Sequence, residues 1–233
     1  VSLKMPEDNF GVWDVSFPAV ALDNQRNVYW YKLNSSTDVF QFLPDQTFSV
    51  SSDTDVICKD AIAISGRTIA IDCQDKQNNI LFLLDITNTS NFVNITSDST
   101  NSPYSESVTR RLTFDYGGDF SFLYRYDPQA PGYIDVFDAA DDQNVTFLTS
   151  ITDASLNDNN FTPVSLSVFN GILYVANKKT AEVWILTPSD NTYSNITVNK
   201  FQIRDFPWAI RVFSDVRYGG SNLAALVSTA SGL

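Results

Sequence analysis

Residues 61–73, AIAISGRTIAIDC, and residues 165–177, SLSVFNGILYVAN, superimpose without a gap at an offset of 104. Hydrophobic positions coincide at Ile62 and Leu166, Ile64 and Val168, Ile69 and Leu173, and Ile71 and Val175. After a two-residue slip the match resumes, with Leu81, Phe82, Leu83 and Leu84 meeting Val183, Trp184, Ile185 and Leu186. Each copy reads as an apolar run, a glycine turn, a second apolar run, a loop and a third run. Self-similarity on this scale marks one supersecondary unit used several times.

The cadence extends in both directions. Residues 111–139, RLTFDYGGDFSFLYRYDPQAPGYIDVFDA, hold two β-rich runs across a glycine turn and then a third, and residues 208–228, WAIRVFSDVRYGGSNLAALVS, repeat the YGG turn. Residues 17–43, FPAVALDNQRNVYWYKLNSSTDVFQFL, open in the same way. Units therefore begin near residues 17, 61, 112, 165 and 209, at spacings of 44 to 53. That period is close to the roughly 40 to 50 residues of a four-stranded propeller blade.

Val, Ile, Phe, Tyr and Trp fill the runs, while Asn, Asp, Gly, Ser and Pro bound them, which is the pattern of short strands and turns. A fourth strand is expected over residues 94–96, 144–151 and 195–203. The chain is thus read as an all-β protein, a β-propeller of four-stranded antiparallel blades. A β-sandwich would also give short strands at regular spacing, but it supplies no reason for a register-preserving offset. The final unit stops after its second strand, so about four and a half blades are expected, as part of a larger ring. The alternative is that residues 1–15 supply the missing outer strands and close a ring of five.

Composition sets the environment. With 43% hydrophobic and 18% charged residues, the chain can bury a core and is far from a disordered composition. Fifteen Lys plus Arg against 27 Asp plus Glu give a net charge of −12, which disfavours nucleic acid and anionic membrane as partners. No apolar run approaches the roughly 20 residues of a membrane span. No cofactor is implied. Calcium is the metal the acidic loops would suit: Asp138, Asp141, Asp142 and Asn144 form one cluster, and Asp153, Asn157, Asp158 and Asn159 another. Neither has EF-hand spacing.

The two cysteines follow from hairpin register. If Ser65 and Gly66 form a two-residue turn, paired positions sum to 131, setting Ile62 opposite Ile69, Asp60 opposite Ile71, and Cys58 opposite Cys73. Facing positions on antiparallel strands come within disulfide reach, and a disulfide implies an oxidising compartment. Asn34, Asn88, Asn94, Asn144, Asn160 and Asn195 each head an Asn-X-Ser/Thr triplet. Three of them, Asn88, Asn144 and Asn195, follow the third strand of successive units. Both signals point to a secreted or cell-surface glycoprotein.

The chemistry available is narrow. The absence of histidine excludes a Ser-His-Asp triad, a Cys-His pair and His-ligated metals within these residues. Glutamate is limited to Glu7, Glu106 and Glu182, so paired carboxylates would come from aspartates. Aromatics are the remaining binding candidates: Tyr29, Trp30 and Tyr31 stand consecutively, and Trp13, Trp208 and Tyr133 fall near strand ends.

Residues 19–33, AVALDNQRNVYWYKL, resemble a YWTD or NHL-type blade, with Tyr29 and Trp30 in the first two places and Tyr31 and Lys32 in place of Thr and Asp. The resemblance to the β-propeller superfamily is one of repeat geometry, covers most of the chain, and carries no functional residue with it. The expectation is a non-catalytic extracellular propeller that serves as a scaffold or adhesion module of a surface coat or fibre. Its partners would be other proteins or glycans at the cell surface, with self-assembly among them. The competing expectation is a calcium-dependent propeller hydrolase, lactonase-like or an Asp-based glycosidase, with Asp and Asn converging on a central channel.

Overall fold

The computed structural model describes residues 2–4, 17–34, 39–51, 55–75, 79–89, 92–96, 111–115, 121–127, 132–214 and 223–229. Within them, each strand pairs antiparallel with the next in sequence. The first sheet comprises β1 (Ser2–Lys4), β2 (Ala19–Leu22), β3 (Asn27–Asn34) and β4 (Val39–Ser49). The second comprises β5 (Ile57–Ala63), β6 (Thr68–Gln74), β7 (Asn79–Asp85) and β8 (Phe92–Thr96). The third holds β9 (Arg111–Phe114), β10 (Phe122–Asp127), β11 (Tyr133–Asp138) and β12 (Thr146–Thr152). A one-turn helix, α1 (Asp153–Leu156), leads to the fourth sheet, β13 (Pro163–Phe169), β14 (Ile172–Asn177), β15 (Glu182–Pro188) and β16 (Ile196–Gln202). The last ladder pairs β17 (Pro207–Ser214) with β18 (Leu223–Thr229).

Strand alternation explains how the sheets stack. Side chains of a strand point alternately to its two faces, and here both faces of the middle sheets are apolar. Ile69 and Ile71 of β6 face the first sheet, where they meet Val20, Val28 and Trp30. Ala70 and Leu81 face the third sheet and meet Leu112, Leu123 and Phe137. The third sheet packs on the fourth through Tyr124, Ile134 and Val136 against Leu166, Val175 and Trp184. The fourth packs on the last ladder through Tyr174 and Val183 against Ile210 and Val212. Every residue of β6 and of β7 is consequently buried. A sandwich keeps one face of each sheet toward water, so burial on both faces decides for a succession of face-packed sheets.

Two details depart from the sequence reading. The first unit was read from residue 17, whereas Ser2–Lys4 already pairs with β2. Ser2–Lys4 therefore lies beside the strand at Ala19–Leu22 and not on the outer edge of the last ladder. The hairpin joining β5 and β6 is also longer than two residues: Ala63 faces Ile69, and Ala61 faces Ile71. Ile62 and Asp60 thus oppose Ala70 and Asp72, one place from the expected partners. A bulge between Cys58 and Asp60 then takes up the extra residue, and Cys58 faces Cys73 after all. The same bulge recurs in β13 between Pro163 and Ser165, and in β17 between Pro207 and Ala209.

Candidate functional site

The buried charge lies at the junctions between sheets. Arg125 of β10 is fully buried, with Nε 3.0 Å and Nη2 2.5 Å from Asp135 Oδ2 on the neighbouring strand. Its Nη1 is 3.4 Å from Asp72 Oδ1 of the second sheet. Burial would push the guanidinium down, but the two carboxylates outweigh it and hold it above its ordinary value. Asp60, also buried, accepts the Leu112 amide at 2.8 Å and pairs with the Lys4 ammonium, which itself donates to the Leu112 carbonyl. Aspartates do converge here, but on Lys4 and Arg125, which tie the first three sheets together.

The acidic loops are similarly engaged. Asp138 accepts from the Ala140 amide at 2.9 Å and Asp141 from the Gln143 amide at 3.0 Å, each closing a turn. Asp142 reaches the second sheet and accepts from the hydroxyls of Ser65 and Thr68. In the other cluster, Asp153 accepts the Phe161 amide at 3.0 Å, and Asn157 caps α1 in the left-handed conformation at φ 50°. Asp158 pairs with Lys200, which lowers its carboxyl below the usual value, and the Asn159 carbonyl accepts from Lys179 Nζ at 2.8 Å. Among the described residues no group of three Cys, Asp or Glu side chains is placed to hold a metal ion.

Cys58 and Cys73 are joined as a disulfide, with Cα atoms 3.9 Å apart. Asn88, Asn144 and Asn195 are exposed, and each lies in the connection between the third and fourth strands of its sheet. Asn160 is exposed in the loop before β13. Asn34 closes β3 and Asn94 sits in β8, the outermost strand of its sheet; their side chains lie outside the described residues.

The aromatic candidates separate cleanly. Trp30 and Tyr133 are buried. Tyr29, on the opposite face from Trp30, donates its hydroxyl to Asp23 at 2.9 Å, which raises the phenol above its ordinary value. Trp13 lies outside the described residues. Trp208 is 59% exposed, flanked by Phe206 at 51%, and Phe201 is 56% exposed. Lys178 Nζ stands 5.4 Å from the Trp208 ring. The sequence reading singled out Trp208 but missed Phe201 and Phe206. Its available signal was three aromatics within residues 201–208, FQIRDFPW, a stretch that links two strands.

Known structures resemble this succession of sheets. BBS1N, in its complex with ARL6DN, aligns over 92% of this chain and 58% of its own, at 12% identity and a TM-score of 0.54. A candidate 6-phosphogluconolactonase from Bacteroides fragilis aligns over 90% of this chain and 55% of its own, at 11% identity and a TM-score of 0.52. The fold is a β-propeller. The WD40 repeats of RRP9 align over 90% of this chain and 69% of theirs, at 10% identity and a TM-score of 0.45. This propeller chain thus spans 58% and 55% of the first two structures. No protein-family model matches it, and no curated protein does. No helix among the described residues is long and apolar enough to cross a membrane.

Proposed function

We propose that this propeller is a non-catalytic extracellular glycoprotein that acts as a scaffold or adhesion module of a surface coat or fibre. The observation that carries the reading is the Cys58–Cys73 bond, since such bonds persist in oxidising compartments. Asn88, Asn144 and Asn195 support it, because all three are exposed in the same connection of successive blades. Glycans there would cluster beside the outermost strands and blunt those edges. Carboxylates bound to Arg125, Lys4 and backbone amides hold the blades together, which suits a scaffold. The exposed aromatics at Phe206 and Trp208 suit contact with a protein or glycan partner, or with a second copy.

The test is the mass of the native protein under non-reducing conditions, before and after peptide N-glycosidase, with peptide mapping of Cys58 and Cys73. Glycan on Asn88, Asn144 or Asn195 and bridged cysteines are expected. Bare asparagines with free thiols would overturn the extracellular reading.

A further inference from the structure

The third and fourth blades can be compared position by position. In both, seven residues join the third strand to the fourth, 139–145 in one and 189–195 in the other. In the third blade this connection seals against the second: Gln143 Nε2 donates to Thr68 Oγ1 at 2.6 Å, and Thr68 Oγ1 donates to Asp142 Oδ2 at 2.8 Å. In the fourth blade the place of Gln143 is taken by Tyr193, and its neighbour across the junction is Phe122, which opens β10 as Thr68 opens β6. The place of Asp142 is taken by Thr192, whose hydroxyl bonds Asp190 within its own loop at 2.6 Å. The bonds across this junction include those between Tyr193 and Tyr124 and from the Gly171 amide to Asp115, but none of them comes from Thr192 among the described residues, and a cavity of about 280 Å³ lies there.

Its walls are fixed. Tyr193 holds φ 58°, a region bulky residues rarely adopt. Its ring packs edge-on against Phe122 at 5.3 Å, and its hydroxyl lies 2.6 Å from that of Tyr124 and 3.1 Å from the Gly171 carbonyl. Buried Asp115 accepts the Gly171 amide at 2.8 Å and so fixes the opposite turn. Its apolar side is Phe122, Ile172 and Tyr193, and its polar side is Asn170, Thr187, Ser189, Asp190 and Asn191. The side chains of Thr187 and Asn191 make no hydrogen bond within the described residues.

We infer that this cavity binds a single neutral saccharide ring. It is smaller than the roughly 300–1,000 Å³ typical of drug-sized sites. No lysine or arginine lines it, and the chain carries a net charge of −12, so an anionic ligand is disfavoured. Amide and hydroxyl groups on the polar side both donate and accept, which matches sugar hydroxyls. The aromatic and aliphatic side takes the apolar C–H face of the ring. This inference deepens the adhesion reading by naming a ligand class.

The experiment is saturation-transfer NMR on the full, disulfide-bonded chain with methyl glycosides of glucose, galactose, mannose and N-acetylglucosamine, followed by titration. At least one is expected to bind, and Asn191→Ala and Thr187→Val should each weaken it about tenfold, about 1.4 kcal/mol. Both sites are on the polar side, so near-ultraviolet circular dichroism should stay unchanged. An Asn195→Gln version is titrated alongside, so that a glycan at the base of the loop cannot shade the cavity. Absence of transfer from all four probes, affinity unaffected by both substitutions, or preference for glucose 6-phosphate would each overturn the inference. A failure here leaves the glycan and disulfide map unchanged, so the two readings fall separately.

Discussion

Asp60 accepts the Leu112 amide at 2.8 Å across the junction of the second and third blades, and Ser165 does the same for the Ile210 amide at 3.1 Å across a later junction. Each acceptor directly follows a bulge in the first strand of its sheet. The amides belong to β9 and β17, each the edge strand of the next sheet, and with no further strand of their own sheet on that side they need another partner. Asp60→Ala removes one and also strips Lys4 of its carboxylate. A loss of about 1–3 kcal/mol is expected for the stranded amide alone, with about 0.5–1.5 kcal/mol for Ser165→Ala. Denaturant unfolding checks both; equal costs would show that the charge on Asp60 adds nothing.

Arg125 is expected to be costly to lose. Arg125→Met leaves Asp72 and Asp135 facing each other in a site where all three side chains are fully buried. Removing one member of a buried ion pair typically costs about 3–5 kcal/mol. Replacing both aspartates by leucine in the Arg125→Met background is expected to recover most of that. Should the single variant unfold at nearly the wild-type denaturant midpoint, the network is not holding the two blades together.

The Cys58–Cys73 bond spans a separation of 15 residues, for which chain entropy predicts about 3 kcal/mol of stabilisation. Reduction, or the double Cys→Ala variant, is expected to lower stability by about that amount while leaving β content intact. A loss below about 0.5 kcal/mol would mean that the bulge at Lys59 already fixes the hairpin.

Blade organisation was legible in the chain because a strand buried on both faces is written as an apolar run, as in residues 80–84, ILFLL. Disulfide pairing was legible for a reason that proved incomplete. A turn longer by one residue shifts Ile62 and Asp60 to new partners, and the bulge at Lys59 reverses the shift before Cys58. Bulges lack a sequence signature as sharp as a glycine turn, and a slip of one residue moves every side chain to the other face. A strand within residues 1–15 was foreseen only as an outer strand of the last unit, because the three residues of Ser2–Lys4 carry no readable period that would place them beside Ala19–Leu22. Arg125 and Asp135 were hidden for another reason: they pair across strands, and nothing in a single run marks a charge as buried.

Trp208 offers a test of the exposed aromatic edge. Because its ring is 59% exposed, Trp208→Ser is expected to change stability by no more than about 0.5 kcal/mol. Association measured by sedimentation or partner capture should fall, and Phe206→Ser should act in the same direction. Unaltered association in the double variant would remove this edge from consideration as a contact surface.

Tyr193 gives a pH signature for the junction of the third and fourth blades. Burial raises its phenol from 10.0 to about 12, partly opposed by the Tyr124 hydroxyl. A group whose folded pKa is raised binds its proton more tightly in the fold than in the unfolded chain. Its contribution is therefore complete below pH 10.0 and is lost as pH rises toward about 12. Tyr124 and Tyr126 are raised in the same sense, so the wild type should lose stability steeply over that window. Tyr193→Phe removes one titrating group and should make the decline shallower while lowering stability at pH 8, where the hydroxyl no longer reaches the Gly171 carbonyl. Urea midpoints at pH 8, 10 and 11 read both effects. Parallel declines in the two proteins would show that the Tyr193 hydroxyl titrates as though exposed, and that the wall of the cavity is looser than its hydrogen bonds imply.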